Sequence, residues 1–245
     1  MSRRSNFARW WSGYVRGRDQ ARLARYQAAS GPRLRLASRI ALWLHVGMLL
    51  LVASAFVSVA MAQPIPRDAQ RYQLTLKREL QLAWGLQAPM ATFAAQVHQE
   101  SRWRLDARSP VGAVGLAQFM PATANWIGGL DAGLSTRDPT NPTWSLRALV
   151  TYDKWLSDRI KADNDCERMA FILSAYNGGL GWVYRDQATA SGKGLDKRFW
   201  FDSVELVNAG RTAAAWQENR SYPKLILLTY TPRYTAAGWG LGVCP

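Results

Sequence analysis

One carboxylate in this sequence occupies a position that is unusual for a charged residue. Between Pro89 and Ser101 the pattern predicts a helix, on which Phe93, Val97 and Glu100 share one stripe. Loss of water and the negative end of the helix dipole would both raise the pKa of a carboxyl group there. A carboxyl group that stays protonated near neutral pH can act as a general acid, for instance toward a glycosidic oxygen. The alternative interpretation of Glu100 is a hydrated surface residue at a helix end.

Two other ionisable side chains lie near Glu100 in the sequence. Asp106 falls in the loop after the helix and is interpreted as a structural cap or surface charge, with a second catalytic carboxylate as the alternative. His98 lies on a different face of the helix and is interpreted as structural rather than as a proton relay. No CxxC or paired Cys/His spacing offers a metal site, so no metal or other cofactor is expected.

The elements that must position these residues are predicted to be helices. They cover approximately residues 69–82, 89–101, 121–128, 143–160 and 164–178, and a last helix is predicted to begin near Tyr222. Charges, glycines and a proline predict an ordered loop at residues 102–115. Asn164 and Glu167 fit a capping box at a helix start. Because no alternating strand pattern and no internal repeat is present, the predicted fold class is mainly α, with one helical domain.

Charge and hydropathy divide the chain at residue 62. Residues 1–62 contain ten arginines, no lysine and one aspartate, a net charge of +9, whereas residues 63–245 carry +5. Residues 40–62 contain no Asp, Glu, Lys or Arg, and a helix of that length, at about 1.5 Å per residue, spans a hydrocarbon core of roughly 30 Å. The arginines before this segment predict a cytoplasmic N-terminus and place residues 63–245 outside. The sequence therefore predicts one N-terminal transmembrane helix.

The same segment also permits a cleaved signal peptide, because Ala60, Met61 and Ala62 have the small-x-small form of a cleavage site. A retained signal-anchor is favoured, since the apolar run is longer than the core of a usual signal peptide. The basic leader would then face anionic lipid, so its charge does not indicate binding of nucleic acid. Cys166 and Cys244 would both lie outside the membrane, where a disulfide can tie the C-terminal tail to the helical body.

Four short motifs resemble, in order, those of the soluble lytic transglycosylase (SLT) domain family. They are Glu100-Ser101, the run GAVGLAQFMP at residues 112–121, the run AYNGG at residues 175–179 and the run ENRSY at residues 218–222. The resemblance covers roughly residues 85–230. It implies a lysozyme-like, mostly helical fold related to goose-type lysozyme, and cleavage of the MurNAc–GlcNAc β-1,4 bond of peptidoglycan.

The resemblance also implies a mechanism. Glu100 matches the family's single catalytic acid/base, which protonates the leaving oxygen and then removes the proton of the muramic acid C6 hydroxyl. A 1,6-anhydro ring closes in place of attack by water, and the substrate's N-acetyl group does the work of a second carboxylate. The positions that match substrate-binding residues of the family are Ser101, Gln118, Tyr176, Asn177 and Tyr222.

Each of these residues has an expected role. Ser101 would orient the N-acetyl group or the acid, and Gln118 would hydrogen-bond sugar hydroxyls or N-acetyl groups. Tyr176 would lie near the acid, Asn177 would bind N-acetyl or peptide-side groups, and Tyr222 would hold the acid through its hydroxyl. Purely structural roles are the alternative for Ser101, Tyr176 and Asn177, the last as a helix C-cap.

Two positions depart from the family pattern. Ala117 stands where Met is usual, which affects the shape of a sugar subsite, and Pro223 follows Tyr222 where an aliphatic residue is usual. Gly112 and Gly115 are interpreted either as places where the backbone comes close to the glycan or as ordinary turn glycines.

Together these features predict a membrane-tethered peptidoglycan lytic transglycosylase. A basic cytoplasmic leader would occupy residues 1–39, a signal-anchor or signal peptide residues 40–62, a linker and first helix residues 63–84, and the periplasmic catalytic domain residues 85–245. Its partners would be glycan strands, lipid of the inner membrane through residues 40–62, and machinery of the cell envelope in wall remodelling, secretion-apparatus insertion or phage lysis. Trp182 is the best candidate for sugar stacking. The alternatives are a lysozyme-like muramidase, which uses water, and a non-catalytic peptidoglycan-binding module.

Overall fold

Helices make up most of the computed structural model, which describes residues 65–245. In chain order they are α1 (Arg67–Trp84), α2 (Met90–Ser101), α3 (Pro121–Ile127), α4 (Pro142–Ser157), α5 (Asp165–Gly178), α6 (Leu180–Gly192), α7 (Ala213–Lys224) and α8 (Thr231–Ala236). Short 3-10 turns lie at Ala132–Leu134 and Val204–Leu206, and a π-helical segment, Leu225–Tyr230, joins α7 to α8. Within the described range the only β-type pairing consists of isolated bridges around Val114. The mainly α fold class is therefore confirmed.

The predicted leader at residues 1–39, the predicted span at residues 40–62 and its cleavage site lie outside the described residues. None of the helices between residues 65 and 245 is both long enough and apolar enough to cross a membrane. The first described helix, α1, belongs to the compact unit formed by Gln63–Pro245 and packs along α4. Glu79 of α1 is buried there, and Arg147 of α4 donates to it at 2.8 Å.

Helix α5 lies at the centre of the packing and contacts α4, α6 and α7. All residues from 169 to 175 are buried, which is almost two full turns, so the helix is enclosed on every side. The Asn164 side chain caps its start by accepting from the backbone N–H of Glu167 at 3.0 Å. The Glu167 carboxylate does not accept the second capping-box hydrogen bond, from the backbone N–H of Asn164. It accepts instead from the backbone N–H groups of Trp200 and Phe201, so only half of the predicted capping box forms.

The C-terminal helices differ from the prediction. The last helical stretch begins at Ala213, where Thr212 accepts from the N–H of Ala215, and not near Tyr222. Pro223 resembles a helix-start residue in sequence, but it lies inside α7, and a π-helical segment begins two residues after it. Helix α6, which follows Gly179 directly, was not predicted, because the paired glycines were interpreted only as a helix end.

The predicted disulfide between Cys166 and Cys244 is confirmed. Cys166 lies in the first turn of α5, and the bond connects the C-terminal tail to the central helix of the domain. A buried ion pair connects α6 to α7 as well, because Asp186 contacts both Arg211 and, at 2.9 Å, Arg220. The disulfide thus holds the C-terminal tail to α5, and the ion pair holds α6 to α7.

Candidate active site

Glu100 lies in the last turn of α2. The next residues, Arg102 and Trp103, have left-handed φ angles of 52° and 64°, so the chain turns sharply after the helix. Trp103 is 1% exposed, and its indole N–H donates to the Tyr234 hydroxyl at 2.6 Å. The buried indole therefore fixes the turn after α2, and this turn fixes the position of the last helical residues, which include Glu100.

The hydroxyl of Tyr222 donates a hydrogen bond to Oε1 of Glu100. Tyr222 is buried in α7, so this contact joins two helices that are distant in the chain. The expected contact between the two residues is confirmed. No other residue between 65 and 245 hydrogen-bonds the carboxyl group, which leaves Oε2 available to a substrate.

The pKa of Glu100 is raised to about 8. Burial is the largest cause, because the charged carboxylate loses water there. The hydrogen bond from Tyr222 favours the charged form and lowers the pKa in part, whereas the nearby negative charge of Glu218 raises it. Glu100 therefore carries its proton near neutral pH, as a general acid requires.

Tyr176 of α5 connects the central helix to the loop that carries the second motif. Its hydroxyl donates to the backbone carbonyl of Ala117 at 2.7 Å, and its ring packs against Phe119 and Tyr152. Burial and the neighbouring Glu100 carboxylate hold the pKa of the Tyr176 phenol well above its usual value. The phenol thus lies near the acid, as expected, while its hydrogen bond goes to the backbone.

The second-motif loop is held by its own polar groups. The Gln118 amide donates to the carbonyls of Ala107, at 3.1 Å, and of Gly115, at 2.9 Å. Ala117 is fully buried, and its N–H donates to the Ser145 hydroxyl at 3.1 Å. The small side chain that replaces the family's usual Met therefore offers no surface of its own to a glycan.

Gly115 and Gly112 require glycine for different physical reasons. Both have left-handed φ angles, 81° and 95°. A Cβ at Gly115 would lie 2.0 Å from the carbonyl oxygen of Pro139, whereas a Cβ at Gly112 would meet no atom within 4 Å. The close approach at Gly115 is thus to the chain itself, and Gly112 needs only the backbone conformation.

Asn177 belongs to a polar network between α5 and α7. Its amide donates to the Glu218 carboxylate at 3.4 Å, and its carbonyl accepts from Asn219 at 3.0 Å. Asn219 is buried and also bonds the Ser174 hydroxyl and backbone carbonyl, both at 2.9 Å. A groove of about 350 Å³ runs past Asn177, Glu218 and Trp182. Asn219 and Glu218 were missed as individual site residues, although they stand in the ENRSY run.

Ser101 and Trp182 contact other groups of the protein, and Asp106 is exposed. The Ser101 hydroxyl is buried and donates to the Val97 carbonyl at 3.3 Å, within its own helix. The Trp182 ring is already contacted by the guanidinium groups of Arg185 and Arg211. Asp106 is exposed in the loop after α2. The substrate contacts expected of Ser101 and Trp182 stay predictions.

His98 has a structural environment. Its Nδ1 lies 3.0 Å from the Tyr234 hydroxyl, and its ring stacks on Tyr230. Burial, together with the charges of Arg233 and Arg102, lowers its pKa to about 4. A histidine that stays neutral and packed in this way fits the structural interpretation.

A second carboxyl group, which sequence reasoning missed, is buried behind Glu100. Asp153 of α4 and Gln96, one helical turn before Glu100, are both fully buried and close to each other, but neither side chain forms a hydrogen bond of good geometry with any described residue. Asp153 forms no ion pair with any Lys or Arg of the described residues. Burial raises the pKa of Asp153 well above its usual value and so favours the neutral form; Gln96 lowers the pKa in part, and the Glu100 carboxyl group, when ionised, raises it further. No group of three or more His, Cys, Asp or Glu within residues 65–245 could hold a metal ion.

Comparison with known proteins agrees with the motifs. A family model described as "Transglycosylase SLT domain" matches residues 77–199, which include the first three of the four motifs. Two curated relatives are named "Membrane-bound lytic murein transglycosylase F". The one from Pasteurella multocida (strain Pm70) is 36% identical over 114 residues, which are 45% of this chain and 21% of the relative. The one from Maricaulis maris (strain MCS10) is 34% identical over 130 residues, 53% of this chain and 26% of the relative.

The chain thus spans between about a fifth and a quarter of the length of these curated relatives. Among solved structures, the 70 kDa soluble lytic transglycosylase from Escherichia coli is similar with a TM-score of 0.49 and 24% sequence identity. That similarity covers 69% of this chain and 25% of the other.

Proposed function

Because the chain belongs to the transglycosylase SLT domain family, we propose that it is a peptidoglycan lytic transglycosylase in which Glu100 is the single acid and base. The observation that carries this proposal is the protonated, half-buried carboxyl group of Glu100 held by Tyr222. A lysozyme-like fold of goose type belongs to the same proposal.

In the first step, Glu100 acts as the acid. Tyr222 donates to Oε1, so the proton of the neutral carboxyl group is on Oε2, the oxygen that faces no protein donor. Oε2 protonates the glycosidic oxygen between MurNAc and GlcNAc as the bond to C1 breaks. The substrate's N-acetyl oxygen shields C1 in place of a second carboxylate.

In the second step, Glu100 acts as the base. Its carboxylate, stabilised by the Tyr222 hydrogen bond, removes the proton of the C6 hydroxyl while O6 bonds to C1. One C–O bond has broken and one has formed, no water has been consumed, and Glu100 is protonated again. The product is a 1,6-anhydromuramic acid end.

The other matched residues would contribute to substrate binding. Tyr176 fixes the position of the second-motif loop, and the free carbonyl of Gln118 is available to sugar hydroxyls or N-acetyl groups. Asn177, beside the groove that Glu218 also lines, would bind N-acetyl or peptide-side groups. Ser101 supports the helix end, with its hydroxyl bound to the backbone.

The site of action follows from the predicted topology. Residues 40–62 would anchor the chain in the inner membrane as a single pass, with residues 63–245 in the periplasm next to peptidoglycan. Machinery that must pass through the cell wall is the kind of partner such an anchored enzyme would serve.

The decisive experiment is mass spectrometry of the products that the purified protein releases from isolated peptidoglycan. The wild type should release anhydromuropeptides, which are lighter by one water than reducing-end products. Glu100→Gln should abolish release, whereas Asp106→Asn, a matched change of an exposed carboxyl group, should not. Reducing ends would indicate a muramidase, and no product from the wild type would indicate a binding module. Either result would refute the proposal.

A further inference from the structure

Four leucines form an exposed apolar surface on one side of the domain. Leu74 and Leu82 of α1, Leu86 in the turn after it and Leu241 near the C-terminus are 79%, 73%, 80% and 70% exposed. A single exposed leucine is ordinary, but four that are each exposed by more than two thirds need a reason if they lie together. We call these four residues the leucine patch.

The leucines are contiguous because they line two adjoining grooves. One groove of about 420 Å³ is lined by Leu74, Leu86 and Leu241, with Met90 at its edge. The other, of about 380 Å³, is lined by Leu74, Leu82 and Leu86. The shared residues make the leucine patch one surface rather than scattered side chains.

The charged side chains that line the leucine patch itself are basic. Lys77 and Arg78 line the grooves, and no Asp or Glu does. Arg78 also donates to the buried Glu79 carboxylate at 2.8 Å, so Lys77 is the main source of positive charge there. Arg67 and Arg71 are exposed nearer the start of α1, where Arg71 pairs with the exposed Asp68 at 3.9 Å. Leucines and basic side chains on one helix face are typical of a surface that lies in the interface of an anionic bilayer.

The connection to the rest of the chain favours the same partner. The uncharged segment at residues 40–62 ends four residues before α1 begins. A bilayer that takes up this segment would therefore be close to the start of α1, from which Leu74 is about 10 Å distant along the helix axis. A second protein could contact the leucine patch, but it would have to compete with a lipid surface that is already nearby.

We propose that the leucine patch, together with Lys77 and Arg78, docks the domain on the surface of an anionic lipid bilayer. This docking goes beyond the anchor at residues 40–62, because it would orient the domain as well as retain it. It does not rest on the transglycosylase activity, so the two proposals can fail separately.

Docking would fix the distance between the lipid surface and the active site. Met90, at the start of α2, borders the leucine patch, and Glu100 lies ten residues later in the last turn of the same helix. At about 1.5 Å per residue the two are roughly 15 Å apart along the helix axis. Docking would thus hold the acid at a distance from the patch that this rigid helix sets.

The test is flotation of residues 63–245 with vesicles of 70% phosphatidylcholine and 30% phosphatidylglycerol. This part can be tested alone, since it forms one compact unit that contains the described helices and the disulfide. The patch variant is Leu74→Ser with Leu82→Ser and Leu86→Ser. The matched control changes three other exposed apolar residues, Val111→Ser, Leu206→Ser and Leu228→Ser. Melting temperatures of both variants show that each is folded.

We expect the wild type and the control variant to float, and the patch variant to bind at least tenfold more weakly. Phosphatidylcholine alone should bind the wild type weakly. Failure of the wild type to float, or an equal loss in the control variant, would overturn the proposal. Sedimentation that shows a wild-type dimer and a monomeric patch variant would also overturn it, in favour of a second copy of the chain.

Discussion

Tyr222 and Glu100 are hydrogen-bonded across 122 residues of chain, with the phenol as donor and Oε1 as acceptor. The bond opposes the effect of burial, because it stabilises the carboxylate that burial destabilises. A group that must be an acid and then a base needs both influences. Burial keeps the carboxyl group protonated for the first step, and the hydrogen bond from the phenol stabilises the carboxylate in the second step.

Tyr222→Phe should therefore lower the rate of anhydromuropeptide release by about 10- to 100-fold. It should also move the alkaline limb of the pH profile upward, since loss of the bond raises the pKa of Glu100 further. Tyr184→Phe removes an exposed tyrosine hydroxyl that bonds the Arg159 carbonyl, and serves as the control. An unchanged or downward-shifted limb in Tyr222→Phe would contradict this account.

Glu218→Gln should have the opposite effect on the pH profile. The negative charge of Glu218 raises the pKa of Glu100, so its removal lowers that pKa and moves the alkaline limb to lower pH. The pH dependence of kcat measures the shift. Asp165→Asn removes the same charge at the far end of α5 and should leave the limb in place. A purely structural role of Glu218 would lower activity without moving the limb.

Asp153 should make the protein less stable as pH rises. The pKa of Asp153 is raised in the folded state. Above about pH 4 the unfolded chain therefore loses the Asp153 proton while the folded protein keeps it, and the free energy of unfolding falls as pH rises. One such group changes the free energy of unfolding by at most about 1.4 kcal/mol per pH unit. Urea unfolding at pH 5 and pH 7 should show a smaller loss of stability for Asp153→Asn than for the wild type. Equal losses would mean that Asp153 is ionised in the native protein.

The disulfide should contribute about 4 kcal/mol to the free energy of unfolding, because it closes a loop of 78 residues. Denaturant unfolding with and without a thiol reductant measures this contribution. The double variant Cys166→Ser and Cys244→Ser should match the reduced wild type and should not respond to the reductant. A response of that variant would show that the reductant acts elsewhere.

Gly115→Ala should destabilise the domain by about 2–3 kcal/mol more than Gly112→Ala. Both replacements put an L-residue in a left-handed conformation, which costs about 1–2 kcal/mol. Only the Cβ at position 115 collides with Pro139, and the overlap with a backbone carbonyl requires a shift of the loop. Thermal unfolding of the pair separates the collision from the conformational cost. Equal effects would show that the loop yields without strain.

Much of the local structure could be read from the sequence. Helical periodicity and the cap at Asn164 depend on residues within a few positions of each other, and α4 and α5 form close to where they were expected. The errors occurred where a local signal had two meanings. Pro223 can start a helix or lie inside one, and in the structure it lies inside α7, shortly before a π-helical segment.

The sequence by itself determined that Glu100 lies on an apolar stripe at a helix end and that its pKa should be raised. The tertiary structure decided the size and sources of the effect, because the depth of burial, the Tyr222 phenol and the Glu218 charge come from other elements. It also decided that Asp153 and Gln96 face each other behind the acid, and which glycine of the second motif is in contact with Pro139. Desolvation, hydrogen bonds and steric contact act through space, so residues that are far apart in the chain determine them jointly.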